Sequence, residues 1–149
     1  MTISLEFQKR IQLPRELTDE SVKEVLDGIP KSPGIYIFGR MFGKNFRALY
    51  VGQAKNLRGR IKQQMNNLSL MSYIKDARNG HRVIWIGLLN AHGNSDQNKR
   101  LKIAERALLR HYVSVGDDLH NKNGVKVKRH EIRLSGKHPK RISKLFVEP

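Results

Sequence analysis

A short, uninterrupted apolar segment at residues 83–89, VIWIGLL, constrains the fold of this chain more than any other feature of its sequence. Such a run is too short to cross a membrane and favours a central strand that is covered on both faces. Two further runs rich in β-forming residues, 34–38 and 46–51, are separated by a loop that contains Gly39 and Gly43. This arrangement predicts a hairpin, and the three runs together predict a small mixed three-stranded β-sheet.

Helical patterns occur on both sides of these strands. Residues 55–68 place apolar side chains at helical spacing, residues 70–79 predict a second short helix, and residues 96–115 predict a long helix capped by Ser95. Nearer the N-terminus, Thr18 precedes two acidic residues, which is the signal of a capped helix. Strands and helices in this order predict an α+β fold in which helices flank the sheet.

The chain is 149 residues long, which is the length of one domain with a sizeable core. Its charge is uneven, because residues 1–30 hold 4 basic and 6 acidic side chains whereas residues 31–121 hold 16 and 5. We predict a strand-and-helix extension over residues 1–30, a central domain over 31–123 and a basic extension over 124–149. The N-terminal extension either packs on the central domain or forms a homodimer contact, and the sequence leaves both open.

The composition of the chain excludes several kinds of protein and indicates one class of partner. Cysteine is absent, so disulfides, zinc–cysteine sites and thiol nucleophiles are excluded. There is no apolar run of about 18 residues and no signal-like N-terminus, so we expect a cytoplasmic protein that does not span a membrane. The net charge of +16 attracts polyanions, of which nucleic acid is the commonest, while an anionic membrane surface is the weaker alternative.

Two tyrosines stand close to glycines on the predicted hairpin strands. Tyr36 follows Gly34 by two positions, and Tyr50 precedes Gly52 by two. Glycine lets another group approach the backbone closely. If the two tyrosine side chains share a face of the sheet, their phenol oxygens lie together there. The alternative is that both are ordinary tyrosines of amphipathic strands.

Glu105 is the most informative single residue. It is the only glutamate between positions 31 and 121, and helical projection puts it in the middle of an apolar stripe. Burying a lone carboxylate is costly unless it is paired. Glu105 therefore either forms a buried salt bridge with an arginine or binds a cation such as Mg²⁺, which often takes only one or two carboxylates.

Arg60 and Asn121 are two further polar candidates. Arg60 lies at the border of the apolar stripe of its helix, where its guanidinium either holds a phosphate or belongs to a solvated basic face. Asn121 follows the long helix, and it either forms a turn, orders the segment that leaves the helix or binds a phosphate oxygen. The sequence leaves these alternatives open.

Taken together, these residues resemble the GIY-YIG nuclease family. The matching residues are Gly34-Ile35-Tyr36, Tyr50-Val51-Gly52-Gln53-Ala54-Lys55-Asn56-Leu57, Arg60, Glu105 and Asn121. They extend over roughly residues 32–123, with valine in place of isoleucine in the second motif. The resemblance implies a GIY-YIG-like domain that hydrolyses nucleic-acid phosphodiesters with one divalent ion, Mg²⁺ or Mn²⁺, per active site.

The resemblance also implies a role for each motif residue. Glu105 would hold the ion, and Arg60 would clamp the phosphate as charge develops. Tyr36 would deprotonate or orient the attacking water, while Tyr50 would support it and bind phosphate. Asn121 would anchor the end of the site.

Further nucleic-acid contacts are expected outside these motif positions. Lys55 offers an extra phosphate contact, and Arg58 is a second candidate on the same helix, unless it belongs to a solvated face. The tail is strongly basic, and we interpret it as a surface that follows the DNA backbone without reading sequence, through Lys126, Lys128 and Arg129 among others. The alternative is a merely soluble basic tail.

A tyrosine base raises a difficulty of ionisation. An unperturbed phenol is only about 0.1% ionised at pH 7. Arg60, Lys55 or the ion must therefore lower the pKa of Tyr36, or Tyr36 merely positions the water. A tyrosinate base predicts activity that rises with pH through at least 8, and a flat profile from pH 6 to 9 would argue against it.

Three functions compete for this sequence. The first is a metal-dependent DNA endonuclease, the second is a non-catalytic nucleic-acid-binding module with a nuclease-like fold, and the third is an interaction module that meets a partner through residues 1–30. The tyrosines, Arg60 and Glu105 favour the endonuclease, because a simple binder gains nothing from a lone glutamate in an apolar stripe.

Overall fold

The computed structural model describes residues 2–76, 80–90, 96–121, 131–137, 139 and 144–146. In these ranges the helices are α1 (Asp19–Asp27), α2 (Leu57–Met65), α3 (Leu68–Asp76) and α4 (Gln97–Ser114). The strands in the same ranges are β1 (Thr2–Phe7), β2 (Ile11–Gln12), β3 (Gly34–Phe42), β4 (Asn45–Ala54), β5 (His81–Leu89), β6 (Glu131–Gly136) and β7 (Lys144–Phe146). The fold class is α+β, as predicted.

One sheet contains all of these strands. Six of them lie side by side in the order β4-β3-β5-β1-β6-β7, and β2 pairs with the same edge of β5 as β1 does. β1 and β6 are parallel, and the other neighbours are antiparallel. The prediction of a three-stranded sheet is therefore wrong, because strands from both ends of the chain extend the predicted β4-β3-β5 centre.

The sheet is larger than predicted because β5 has a second edge that another strand can pair with. Leu5 pairs with Leu89 and Phe7 pairs with Gly87, so β1 hydrogen-bonds to the edge of β5 that β3 leaves open. The alternating residues Ile3, Leu5 and Phe7 are all buried. The N-terminal strand thus contributes both backbone pairing and core to the sheet, and the predicted domain boundaries stay predictions.

Local capping signals place the helix ends. Thr18 caps α1 as predicted, since its hydroxyl accepts from the Ser21 amide at 3.1 Å while the Ser21 hydroxyl accepts from the Thr18 amide at 2.8 Å. α4 is capped by Asp96, whose carboxylate accepts from the Lys99 amide at 3.3 Å. The predicted cap, Ser95, lies outside the described residues.

Alternate residues of the hairpin face two different layers of helices. Ile35 and Ile37 pack in the core beneath α4, whereas Tyr36 and Phe38 pack in the core beneath α1, α2 and α3. α4 therefore lies on one face of the sheet, and the other three helices lie on the opposite face. This division determines from which side each candidate residue reaches the site.

Candidate active site

The phenols of Tyr36 and Tyr50 lie on the same face of the β3–β4 hairpin. Tyr36 pairs with Gly52, and Phe38 pairs with Tyr50, in the antiparallel register. Residues two positions apart on a strand share a face, so Tyr36 lies on the face of Phe38 and of its partner Tyr50. Both tyrosines therefore point to the side of α1, α2 and α3. Their ring centroids are 6.0 Å apart and the ring planes differ by 17°. The two tyrosine side chains therefore share a face of the sheet, which was the condition for their phenol oxygens to lie together.

Gln64 of α2 joins the two phenols. Its side-chain nitrogen Nε2 donates to the Tyr36 hydroxyl at 2.8 Å and to the Tyr50 hydroxyl at 3.0 Å. Only 6% of Gln64 is exposed, so one buried amide fixes both oxygens. Each hydroxyl accepts in this contact and keeps its own O–H for a further acceptor.

Sequence reasoning missed Gln64, although a signal was present. Gln64 follows Ile61 by three positions and Leu57 by seven, and both of those residues are fully buried in α2. Residues at this spacing share one face of a helix. A polar side chain in such a stripe needs a buried partner, which is the same reasoning that singled out Glu105.

The Tyr36 ring crosses β4 directly over Gly52. A β-carbon built at position 52 would lie 2.2 Å from Cζ of Tyr36 and 2.3 Å from its Oη. Such distances are far inside van der Waals contact, so no side chain fits at position 52 without displacing the ring. Glycine at this position therefore allows the phenol to lie across the outermost strand of the sheet.

Burial raises the pKa of Tyr36, and the neighbouring Tyr50 phenol raises it further. Gln64 and the guanidinium of Arg60 act in the opposite direction because they stabilise the phenolate, but burial prevails. Tyr36 is therefore a neutral phenol at pH 7. This direction favours a positioning role over a tyrosinate base, which were the two alternatives that the sequence left open.

Arg60 lies within electrostatic range of both phenols and of Glu105. Its pKa is raised chiefly by Tyr36, with smaller contributions from Tyr50 and Glu105. The residue itself is exposed on α2. α2 and α4 pack on opposite faces of the sheet. The Arg60 guanidinium nevertheless interacts electrostatically both with the phenols of one face and with the carboxylate from the other.

The Glu105 carboxylate is half-buried on α4. Burial raises its pKa above the ordinary value of 4.5, and Arg106 and Arg60 oppose that rise. Among the residues that the structure describes, no cationic nitrogen lies within 4.0 Å of this carboxylate. The buried salt bridge, which was one of the two alternatives for Glu105, is thus not formed within the described ranges. Those ranges also contain no group of three or more His, Asp or Glu side chains that could hold a metal ion.

The segment after α4 covers the outer edge of β4. The Asn121 side chain accepts from the Val51 amide through Oδ1 at 3.2 Å and donates to the Val51 carbonyl through Nδ2. The His120 amide donates to the Leu49 carbonyl at 2.8 Å. Asn121 therefore orders the segment that leaves the helix and holds the strand that carries Tyr50, while its predicted phosphate contact stays a prediction.

Loss of the Asn121 side chain should destabilise the fold. We expect Asn121→Ala to lower the free energy of unfolding by about 1–3 kcal/mol, because the buried backbone of Val51 loses both partners. Urea denaturation followed by circular dichroism measures the change. Asn45→Ala, at an exposed position of the same strand, should change stability by less than about 0.5 kcal/mol. Equal losses in the two variants would contradict the assignment.

The other predicted nucleic-acid contacts are spread more widely. Lys55 is exposed just before α2. Arg58 donates through Nε to the Ile29 carbonyl at 2.7 Å, so part of its guanidinium is engaged within the protein. The predicted contacts of the tail lie outside the described residues, namely Lys126, Lys128 and Arg129.

Comparisons with known proteins identify no relative of this chain. No protein-family model, no curated protein and no solved structure matches it. Membership of the GIY-YIG family therefore stays a prediction that rests on the motif residues. In the part of the chain that the structure describes, no helix combines the length and the apolar character needed to cross a bilayer.

Proposed function

We propose that this protein is a divalent-metal-dependent DNA endonuclease that hydrolyses phosphodiester bonds at a site formed by Tyr36, Tyr50, Arg60 and Glu105. The observation that carries the proposal is a buried amide that holds two phenol oxygens, at 2.8 and 3.0 Å, beside an exposed guanidinium. A carboxylate from another helix lies within electrostatic range of the same guanidinium. The site thus brings together phenol groups that can donate protons, a guanidinium that can bind phosphate and a carboxylate that can bind a metal ion.

Arg60 supplies the phosphate-binding group. Its planar guanidinium presents parallel N–H donors that match two oxygens of a phosphate. Negative charge on the non-bridging oxygens grows as water attacks phosphorus, and a fixed cation stabilises that state more than it stabilises the bound substrate. Because Arg60 is exposed, a polynucleotide backbone can reach it from solution.

Tyr36 and Tyr50 act as neutral phenols in this proposal. Gln64 donates to each oxygen, so each O–H remains able to donate to a water molecule or to a phosphate oxygen. Because the Tyr36 side chain is fully buried in the structure, this role requires that substrate binding opens a path for water to its hydroxyl. A water held there, beside a phosphate held at Arg60, would be oriented for attack on phosphorus. This role needs no phenolate and so agrees with the raised pKa of Tyr36.

The residues present fit a divalent ion that is held by one carboxylate. Glu105 is partly desolvated and has no cationic nitrogen within 4.0 Å among the described residues, so its charge is available to an ion. Mg²⁺ commonly takes one or two carboxylates and keeps several water ligands. When bound, Mg²⁺ or Mn²⁺ would stabilise negative charge on the leaving oxygen of the phosphodiester.

Cleavage of defined DNA substrates tests the proposal. The purified protein is incubated with supercoiled plasmid and with labelled single-stranded, duplex and branched oligonucleotides, in Mg²⁺ or in EDTA. The expected result is cleavage of at least one substrate in Mg²⁺ and of none in EDTA. Binding of DNA without cleavage of any substrate, with Mn²⁺ as well as with Mg²⁺, would contradict the proposal.

A non-catalytic nucleic-acid-binding module is the second candidate, and the net charge of +16 favours it. Such a module binds through its basic surface alone, with an affinity that falls steeply as salt is added. It predicts retention of DNA and no cleavage under any of the conditions above. The same assay therefore separates the two candidates.

The pH dependence of cleavage should distinguish a positioning phenol from a phenolate base. Because the pKa of Tyr36 is raised, its phenolate fraction stays very small through pH 9. We therefore expect Tyr36→Phe to lower the single-turnover cleavage rate by the same factor at every pH from 6 to 9. A phenolate base would instead gain about ten-fold in its active form with each pH unit below its pKa, so a deficit of the variant that grows with pH would contradict the positioning role.

A further inference from the structure

We propose that His120 and Tyr73 form a stacking surface for an unpaired nucleotide next to the scissile bond, and that Arg40 and Arg47 bind the phosphates beyond it. The inference rests on the proposed function, since it takes DNA as the bound molecule. It adds a substrate class to that function, namely DNA that is single-stranded beside the cut.

Four aromatic rings follow one another from the proposed catalytic phenols toward the surface. The ring centroids of Tyr36 and Tyr50 are 6.0 Å apart, those of Tyr50 and His120 are 6.4 Å apart, and those of His120 and Tyr73 are 5.0 Å apart. Tyr36 is fully buried, Tyr50 is half-buried and His120 is exposed. Exposure therefore increases from Tyr36 to His120 along the series, and Tyr73 at its end is half-buried.

Hydrogen bonds to backbone carbonyls hold the backbone of His120 and the side chain of Tyr73. The His120 amide donates to the Leu49 carbonyl of β4, and the Tyr73 hydroxyl donates to the Asp118 carbonyl. Rings that are ordered before binding lose less conformational freedom when a ligand stacks on them. The Tyr73 ring, held through its own hydroxyl, is suited in this way to a stacking role.

A cavity of about 380 Å³ adjoins Tyr73 and carries both signs of charge. Its lining includes Tyr73, Arg40, Arg47, Asp76 and Asp118. Guanidinium groups bind phosphate, and carboxylates accept hydrogen bonds from the amino group of a base such as cytosine. A nucleotide presents both a phosphate and base donors, so its chemistry matches this lining.

Arg47, Arg40 and Arg82 lie opposite one another on β4, β3 and β5. Like charges at directly opposed strand positions repel, and a bound polyanion relieves that repulsion. Asp117 offsets part of it, at 3.6 Å from Arg47, but 53% of the Arg47 side chain remains exposed. Arg47 therefore retains a surface that a polyanion can reach, whereas Arg40 and Arg82 are half-buried.

The spacing along β3 relates these arginines to the candidate active site. Arg40 follows Tyr36 by four positions on that strand, which is about 13 Å. In a duplex the phosphates of one strand advance about 3.4 Å each along the helix axis, and an unpaired strand can extend further. A segment of a few nucleotides is therefore long enough to contact both Arg60 near Tyr36 and Arg40.

An unpaired base suits this surface better than a base pair does. Bases of a duplex already stack on their neighbours, whereas an unpaired base can stack on an aromatic side chain whatever its sequence. Basic grooves with interleaved aromatic residues are the usual surface for single strands. The ring series and the adjacent arginines have this composition.

Binding measured in EDTA tests the inference separately from catalysis. Fluorescence anisotropy is recorded with a single-stranded oligonucleotide, a blunt duplex and a duplex with a single-stranded overhang. We expect His120→Ala to weaken binding of the single-stranded and overhang probes by about five-fold to a hundred-fold, with little change for the blunt duplex. His120→Phe keeps a flat ring and should restore binding. His81→Ala removes an exposed histidine of β5 and should match the wild type.

Each contrary result has a distinct meaning. The inference is overturned if His120→Ala binds the overhang probe as the wild type does, if it loses equally on the blunt duplex, or if His120→Phe fails to restore binding. Because the His120 side chain is exposed, circular dichroism should show a fold unchanged by the substitution. A wild type that shows the expected binding but cuts no DNA in Mg²⁺ would instead refute the proposed endonuclease and leave the stacking surface standing.

Discussion

Replacing Glu105 by alanine is expected to reduce Mg²⁺-dependent DNA cleavage by about 100-fold or more, while DNA binding is retained. Glu105 is the carboxylate that would hold the ion, and the described residues offer no cluster of His, Asp or Glu to take its place. Removing a negative charge does not weaken attraction to a polyanion, so binding in EDTA should equal or exceed that of the wild type. Single-turnover cleavage and fluorescence anisotropy measure the two effects.

Glu24→Ala is the matched control for this experiment. Glu24 is an exposed glutamate on α1, so its loss changes the net charge equally and should leave cleavage unchanged. Cleavage at the wild-type rate by Glu105→Ala would show that Glu105 holds no essential ion. A parallel loss of DNA binding would also contradict the assignment, because Glu105 would then act in binding rather than in catalysis.

The second large effect is expected from Gly52→Ala. The added methyl group would lie 2.2 Å from Cζ of Tyr36, so we expect the ring to move and its hydrogen bond with the Gln64 amide to be disturbed. A displacement of about 1 Å in a reacting group can lower the rate by about 100-fold, and we expect a loss of that size. Overpacking should also lower the free energy of unfolding by about 1–3 kcal/mol. Single-turnover cleavage and urea denaturation measure these losses.

Gly28→Ala serves as the control for the added methyl group. A β-carbon at Gly28 meets no atom nearer than 3.5 Å outside its immediate neighbours, and its φ of −84° suits any residue. This variant should keep wild-type cleavage and stability. If Gly52→Ala behaved in the same way, Tyr36 would not lie across Gly52 in the active protein.

Most elements of the fold could be predicted because their signals act over a few residues. The apolar run at residues 83–89 lies within β5, and the long helix predicted for residues 96–115 is α4. The position of β1 was not predictable in this way, since Leu5 pairs with Leu89 far along the chain. Which open strand edge a segment pairs with depends on the packing of the whole sheet, and no local pattern encodes it.

In the candidate site, too, local features could be predicted and features that depend on long-range packing could not. Strand alternation alone allowed Tyr36 and Tyr50 to share a face, and the structure shows that they do. The contact of Gln64 with both phenols depends on how α2 packs over the hairpin, so only its polar character within an apolar stripe pointed to it. The raised pKa of Tyr36 has the same origin, because it follows from burial in the assembled core.

The most direct test of a shared catalytic site compares Arg60→Ala with Lys62→Ala in Mg²⁺-dependent plasmid nicking. Both substitutions remove one positive charge from an exposed side chain of α2, so both reduce the general attraction to DNA to a similar extent. We predict that Arg60→Ala loses about 100-fold or more of the nicking rate, because its guanidinium lies beside Tyr36 and within electrostatic range of Glu105. Lys62→Ala should stay close to the wild type, and equal nicking rates in the two variants would contradict the claim that these side chains form one catalytic site.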